Sequence, residues 1–356
     1  MLTIETLEIP DYEKVIVAKD PSVMLHCIIV VHSTKLGPSL GGVRIFPYSS
    51  ENDALEDALR LAKAMTYKTA LCKIGIGGGK SVIIADPKTG KTPSLLQAFG
   101  KVVDLLKGSY IVAEDVGSTP QDLLFIREST PYVAALPTNY SSGDPSRFTA
   151  WGVVRGLQAV AMTLWGSTSL KGRSIAIQGL GHVGSNLAEM LFWQGADLIL
   201  CDLDAERTTR FCHEYSAKQV SPAEYAAVEC DILAPCALGG IINPQTIPKL
   251  RCLAVAGAAN NQLSTPDDAI QLHKRGILYA PDYAINAGGV INATAEFEKT
   301  GYKAIEARDQ THLIFETLLQ IFAKSKAEDR ATSIIADKLA EHNIAAGIGK
   351  RSLPIF

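Results

Sequence analysis

Two lysines carry the first chemical suggestion in this chain. Lys68 closes the segment Met65-Thr66-Tyr67-Lys68, and Lys80 follows Gly77-Gly78-Gly79, directly before the apolar strand Ser81-Val82-Ile83-Ile84. Successive glycines forfeit conformational freedom on ordering, so they are kept where another group must approach the backbone closely. A lysine held by such a loop and partly desolvated has a depressed pKa and can act as a base near neutral pH. An ordinary solvated lysine beside a flexible turn has the same spacing, and the residues alone leave both readings open. Asp115 follows the apolar run Tyr110 to Ala113, at the C-terminal end of an expected strand, where α/β proteins gather their sites. It would serve equally as an acidic N-cap for the helix after Thr119. Gly37-Pro38-Ser39-Leu40-Gly41-Gly42-Val43-Arg44 brings backbone amides and an apolar side chain together, and on its own reads as a loop.

A second chemistry lies further along. Gly179-Leu180-Gly181-His182-Val183-Gly184 is a G-x-G-x-x-G between an expected strand, Ser174 to Gln178, and an expected helix, Ser185 to Trp193. The next strand ends in Asp202, 18 residues beyond Gly184. In a dinucleotide fold the first glycine makes the tight turn and the second admits the pyrophosphate to the backbone. The third lets helix and strand pack closely, and the helix N-terminus faces the phosphates. A carboxylate at the next strand end accepts from the ribose and repels a 2′-phosphate, which favours NAD over NADP. His182, inside the glycine turn, reads as a loop side chain.

The surrounding elements must position these groups. Met24 to Val31 and Tyr110 to Val112 read as strands, and Asn52 to Tyr67 as an amphipathic helix with Leu55, Ala58, Leu59, Ala62 and Met65 on one face. The turn-rich segment Asn139 to Ser146 has linker composition. After it come the strand Asp197 to Cys201, the helix Glu206 to Tyr215, and short apolar runs at Asp231 to Leu233, Leu253 to Ala256 and Ile277 to Ala280. Ala304 to Lys324 and Ile334 to Ala346 read as helices, the last able to pack back on the first domain. The expected architecture is α/β in two domains. Residues 1–138, with 331–356 packing back, form an N-terminal α/β substrate-binding and oligomerisation domain. Residues 139–330 form a Rossmann-type NAD domain with a doubly wound parallel sheet, and a cleft lies between the two.

The 356 residues are 47% hydrophobic and 20% charged with a net charge of −3, both signs being spread along the chain. That balance disfavours a nucleic-acid or membrane surface, each of which needs a concentrated basic stripe. No apolar run reaches the roughly 20 residues of a bilayer span, and the N-terminus lacks the pattern of a signal peptide. The seven cysteines are scattered without C-x-x-C spacing, which points away from a metal site or disulfide framework and toward a reducing cytoplasm.

Taken in order, these segments resemble the Glu/Leu/Phe/Val dehydrogenase family, from Leu36-Gly37-Pro38 to about Ala295. The resemblance includes Ala113-Glu114-Asp115-Val116-Gly117, Ser141-Ser142-Gly143, Ala234-Pro235-Cys236-Ala237-Leu238-Gly239, Asn260-Asn261 and Asn286-Ala287-Gly288-Gly289-Val290. It implies NAD-dependent, reversible oxidative deamination of an L-amino acid to its 2-keto acid, with release of ammonia and NADH, and it decides the lysines in favour of function. Lys80 is implied as the base that activates water, Asp115 as the group exchanging protons with the substrate amine, and Lys68, helped by Asn261, as the clamp on the substrate carboxylate. A second ammonium and the cationic imine would depress the Lys80 pKa.

Leu40, Gly41, Gly42, Ala113, Val290 and Ala293 are implied around the substrate. The implied cofactor contacts are Gly179, Leu180, Gly181, His182, Val183, Gly184, Asp202, Cys236, Ala237 and Asn260. The glutamate-specific branch has a lysine at the position of Leu40. Leucine here makes a buried glutamate side chain costly by several kcal/mol, and Ala113-Glu114-Asp115 has the form of the leucine- and valine-acting branches. Leucine leads, with isoleucine, valine and methionine close. Ala293, where valine is usual in the leucine-acting branch, enlarges the pocket and keeps aromatic substrates open. Family members form homo-oligomers, commonly dimers or octamers. The rival readings are a phenylalanine or tryptophan enzyme on the same scaffold, an inactive NAD-binding regulator, and a 2-hydroxy-acid dehydrogenase, for which no suitable His or Arg constellation is present.

Overall fold

The computed structural model describes residues 1–136, 138, 141–237 and 239–355; Pro137, Asn139 and Tyr140 of the linker region, Leu238 and Phe356 lie outside the described residues. The chain forms two compact units. The first comprises Met1–Gly143, Ala293–Ala304 and Ala340–Phe356, and the second Asp144–Asn292 and Ile305–Leu339.

In the first unit, strands β1 (Thr3–Leu7), β2 (Lys14–Asp20), β3 (Leu25–Ser33), β4 (Ser39–Phe46), β5 (Gly77–Ile84) and β6 (Tyr110–Glu114) form a six-stranded sheet in the order β1-β2-β3-β5-β4-β6. β5, β4 and β6 run parallel, and β1, β2 and β3 are added antiparallel. Period-two alternation gives the sheet two apolar faces. On one, Val15, Val17, Ile28, Val30 and Val82 receive Ala54, Ala58 and Ala62 of helix α1 (Glu51–Cys72). Alanines at helical spacing let this long helix sit close to the strands. On the other, Ile16, Cys27, Ile29, Val43 and Ile83 pack with Leu95, Phe99 and Val102 of α2 (Pro93–Asp104) and Leu123 and Ile126 of α3 (Pro120–Arg127).

Helix α1 begins at Ser50, whose side chain accepts from Asp53 N, with Glu51 and Asp53 in the first turn, as the helix dipole favours. It runs past Lys68 to Cys72 and ends on Lys73 in the left-handed region. The C-terminal segment returns against this end: Asn343 Nδ2 donates to Ala70 O (3.1 Å), and Arg351 N to Leu36 O (2.9 Å).

The second unit opens with α4 (Ser146–Trp165) and continues through β7 (Ser174–Gln178), α5 (His182–Trp193), β8 (Asp197–Cys201), α6 (Ala205–Tyr215) and β9 (Lys218–Gln219). Then follow β10 (Ile232–Pro235), β11 (Ala254–Val255), α7 (Pro266–Lys274), β12 (Leu278–Tyr279), α8 (Asp282–Ile285), α9 (Gly288–Thr294), α10 (Ala304–Thr311), α11 (Leu313–Glu328) and α12 (Thr332–Ala346). Its six strands are all parallel, in the order β12-β11-β10-β7-β8-β9. From β7 the chain builds outward through β8 and β9 and then returns to β10 on the other side. The carboxyl ends of β7 and β10 therefore form a topological switch point, where open α/β sheets bind ligands. The helix expected over Ala304 to Lys324 is interrupted at His312, between α10 and α11. Among the described residues no helix is long and apolar enough to cross a membrane.

Phe99 is fully buried between α2 and the sheet. Phe99→Ala should lower the stability of the first unit by about 3–5 kcal/mol, read as a shifted denaturation midpoint at unchanged slope. A loss below about 1 kcal/mol would contradict the packing described.

Candidate active site

The site of the first unit is built on the sheet face that carries α1. Along β5, Gly78, Lys80 and Val82 alternate onto that face. A Cβ added to Gly78 would land on the backbone nitrogen of Thr66, in α1. On the opposite face, a Cβ at Gly79 would lie 2.9 Å from the Tyr110 ring. The three glycines therefore belong to a strand, not to the loop that their composition suggests, because helix and tyrosine press on the strand from both sides.

The segment expected as a loop around Leu40 is likewise a central strand, β4. Leu40 pairs with Gly78 and Ile111, Gly42 with Ala113, and Arg44 with Val82. Leu40, Gly42, Arg44 and Ala113 thus share the face of Lys80. A Cβ at Gly42 would lie 2.7 Å from Asp115 Cβ, so only glycine admits Asp115 here.

Asp115 follows β6 directly. The N-cap role open to it in the sequence is taken instead by Thr119, which forms a capping box with Asp122. Asp115 Oδ2 lies 2.8 Å from Lys80 Nζ and accepts from Arg44 Nε at 2.9 Å. The Lys80 side chain is 6% exposed and that of Asp115 is 21% exposed. Burial pushes the Lys80 amine below its usual pKa; Asp115 pulls it back up and Arg44 pushes it down. Burial would raise the Asp115 carboxyl, but Lys80 and Arg44 outweigh it and hold the group below its usual value, ionised. The Arg44 guanidinium is thus one cation that opposes the charged form of Lys80. Lys68, one residue before the packed Thr69, lies about 100° round α1 on its half-buried flank.

The second unit presents the glycine turn at its switch point. Gly179 has φ +90° and opposes Ala237, where a Cβ would lie 2.7 Å from that residue's Cβ. Gly181 caps α5, and a Cβ there would meet nothing within 4 Å. A Cβ on Gly184 would fall on the Gly179 carbonyl. The glycines thus serve the turn, an open approach and close packing, in that order, and the empty space at Gly181 fits a pyrophosphate at a helix N-terminus.

Asp202, following β8, accepts from Leu180 N (2.6 Å) and Asp204 N (2.9 Å), so its carboxylate is already oriented. Cys236 N donates to Gln178 O (2.7 Å), which ties the end of β10 to that of β7; burial pushes the Cys236 thiol up to about 12, leaving it neutral. His182 and Val183 open α5, the His182 side chain being 86% exposed and 3.7 Å from Asp144. Asn260 and the left-handed Asn261 (φ +52°) follow β11. Asn261 and Val290 belong to the second unit and Ala293 to the first.

Two neighbours were missed in the sequence. Arg44 stands in a quoted motif, but its link to Asp115 spans 71 residues and is visible only in the sheet. Asn286 donates from Nδ2 to Ala258 O (3.0 Å) and to Asn260 Oδ1 (2.7 Å), while its own buried Oδ1 has no partner among the described residues. Its motif was recognised without a role.

Comparison with known proteins identifies the family. The description "Glu/Leu/Phe/Val dehydrogenase, dimerisation domain" matches residues 13–132, and "Glutamate/Leucine/Phenylalanine/Valine dehydrogenase" matches residues 200–347. A leucine dehydrogenase of Geobacillus stearothermophilus is 46% identical over 95% of this chain and 92% of its own length. An L-tryptophan dehydrogenase of Nostoc punctiforme is 43% identical over 97% of this chain and 96% of its own. The crystal structure of L-tryptophan dehydrogenase from Nostoc punctiforme superposes with a TM-score of 0.84 at 42% identity, covering 95% of this chain and 97% of that one. The chain belongs to the Glu/Leu/Phe/Val dehydrogenase family and is an amino-acid dehydrogenase.

Proposed function

We propose that the chain deaminates a small apolar L-amino acid, leucine foremost, to its 2-keto acid with NAD as oxidant. The observation that carries this reading is Lys80, a buried amine of depressed pKa held against an ionised Asp115. Lys68 clamps the substrate carboxylate as a point charge. Neutral Lys80 takes a proton from water as its oxygen adds to the cationic imine carbon. Asp115 exchanges protons with the nitrogen, so that ammonia leaves and the carbonyl forms. On the second unit, Asn261 and Val290 are the residues offered to substrate.

Bound NAD would supply the acceptor for the hydride from the α-carbon of the amino acid. The open approach at Gly181 fits its pyrophosphate, and Asp202 its ribose. A fixed carboxylate at Asp202 disfavours a 2′-phosphate electrostatically. An apolar substrate is supported by buried Leu40, which shares the sheet face of Lys80 with Ala113 and brings no ammonium for a second carboxylate. Isoleucine and valine fit the same description. An aromatic substrate is the second reading, supported by the similarity to the tryptophan enzyme, which is nearly equal to that with the leucine enzyme, and by small Ala293. We also propose self-association through the first unit, which the dimerisation-domain match supports. A cytoplasmic location is supported by scattered cysteines such as Cys27, Cys72 and Cys201, all buried as thiols.

An NADH-absorbance assay over a panel of L-amino acids should give the highest kcat/KM with leucine; a higher value with phenylalanine or tryptophan selects the second reading. Lys80→Ala should lower kcat by about 10²–10⁴-fold while NADH still binds; near-normal turnover would exclude Lys80 as the base. A base must be neutral to accept a proton, so kcat/KM should rise with pH as Lys80 deprotonates, with a midpoint below the ordinary lysine value of about 10.4. A flat profile through that range would contradict the assignment. Asp202→Ala should raise the ratio of NADP to NAD efficiency; an unchanged ratio would remove Asp202 from cofactor choice.

A further inference from the structure

Arg44 lies at the centre of a charge chain that the chemistry above does not use. Its Nη1 donates to Asp57 Oδ2 (2.8 Å) on α1, and its Nε to Asp115 Oδ2 (2.9 Å) beyond β6. Asp57 is itself fixed: Tyr48 Oη donates to Oδ2 (2.6 Å) and Arg60 Nη2 to Oδ1 (2.7 Å). Lys80 and Arg44 both meet Asp115 at Oδ2, and Oδ1 makes no hydrogen bond to the described residues.

We propose that Arg44 is a positioning residue: braced on Asp57, it pins Asp115 by Oδ2 beside Lys80 and leaves Oδ1 for the substrate's amino group. This rests on the roles proposed above for Lys80 and Asp115. A guanidinium is planar and permanently charged, so it can bond one carboxylate from Nε and another from a terminal nitrogen at a fixed angle, as an ammonium cannot. The need for it arises from the proton cycle of Lys80. Whenever that amine is neutral, Asp115 loses its ammonium partner, and a mostly buried carboxylate without a cation is strongly disfavoured. Arg44 keeps Asp115 paired and ionised in both states of Lys80.

The charged groups that act on Lys80 are Arg44 from β4, Asp115 beyond β6 and Asp57 from α1, the last also bonded by Arg60. Tyr48 and Tyr110 lie nearby, their hydroxyls held neutral by burial. The guanidinium also opposes a positive charge on Lys80, so removing it shifts the amine toward its ordinary value.

The test compares the full-length enzyme with Arg44→Gln, Arg44→Lys and Asp57→Asn, at saturating NAD, over the pH range in which activity rises. Arg44→Gln should lower kcat by about ten- to a hundredfold, with the amino-acid KM within about threefold, and should move the rising limb to higher pH. Arg44→Lys should return the limb toward its wild-type position while kcat stays depressed, because the charge returns without the geometry. Asp57→Asn should lower kcat and move the limb slightly to lower pH at most, because that carboxylate favours the Lys80 ammonium. A purely structural role would change the melting temperature and the fraction of active enzyme but not the limb. The proposal is overturned if folded Arg44→Gln keeps kcat within about twofold with its limb unmoved. If that variant does not fold, full kcat in both Arg44→Lys and Asp57→Asn overturns it equally. Turnover by Lys80→Ala would instead sink the base assignment, a separable result.

Discussion

The base role proposed for Lys80 calls for an amine that loses its proton inside the protein, and the burial of that amine is the constraint around which the first unit is arranged. Water stabilises an ammonium strongly, and burial withdraws that stabilisation. Lys80 reaches this condition because it is carried on a strand rather than on a loop. Thr66 of α1 covers the strand at Gly78, and alternation then places the Lys80 side chain beneath the same helix. Burial alone would make the residue merely inert. Asp115 and Arg44 adjust it from either side, one favouring the charged form and the other opposing it. The glycines of β4 and β5 follow from this, since Gly42 admits Asp115 and Gly78 admits the helix.

The second unit meets a different constraint with related means. It exposes backbone amides at a helix start and leaves room beside them. Of the three glycines in its turn, Gly179 and Gly184 are needed because protein atoms already fill the space, whereas a side chain at Gly181 would meet nothing. That open space is what the proposed pyrophosphate contact rests on. The Leu180–Asp202 hydrogen bond joins the turn to the neighbouring strand end, so both halves of the dinucleotide fingerprint form one rigid piece. Each unit presents its candidate groups within its own sheet.

Much of this was legible in the sequence. The strands Ser174–Gln178 and Asp197–Cys201 and the helix between them follow from periodicity and glycine placement, because local rules govern such units. Gly77–Gly79 and Ser39–Arg44 misled for the opposite reason. Glycine is a poor strand former in isolation, and only contacts from α1 and Tyr110 explain why no other residue fits. Lys80 and Asp115 stood out as candidates by their positions after the glycines and after an apolar run, with the family resemblance deciding for function, yet their juxtaposition at 2.8 Å is a property of strand order. Arg44 was illegible because its meaning lies in two carboxylates, one on a helix and one beyond a different strand. No spacing within its own motif points to either.

The ionisation of Lys80 itself is the most direct measurement of all. Competitive labelling of the intact enzyme with an amine-selective reagent across pH, quantified by peptide mass spectrometry, would report the titration of this side chain against the exposed lysines of the same molecules. The buried pairing described here predicts that Lys80 becomes reactive at lower pH than exposed Lys14 or Lys88. Lys80 gaining reactivity over the same pH range as those two would contradict the picture of a neutral amine poised as the base.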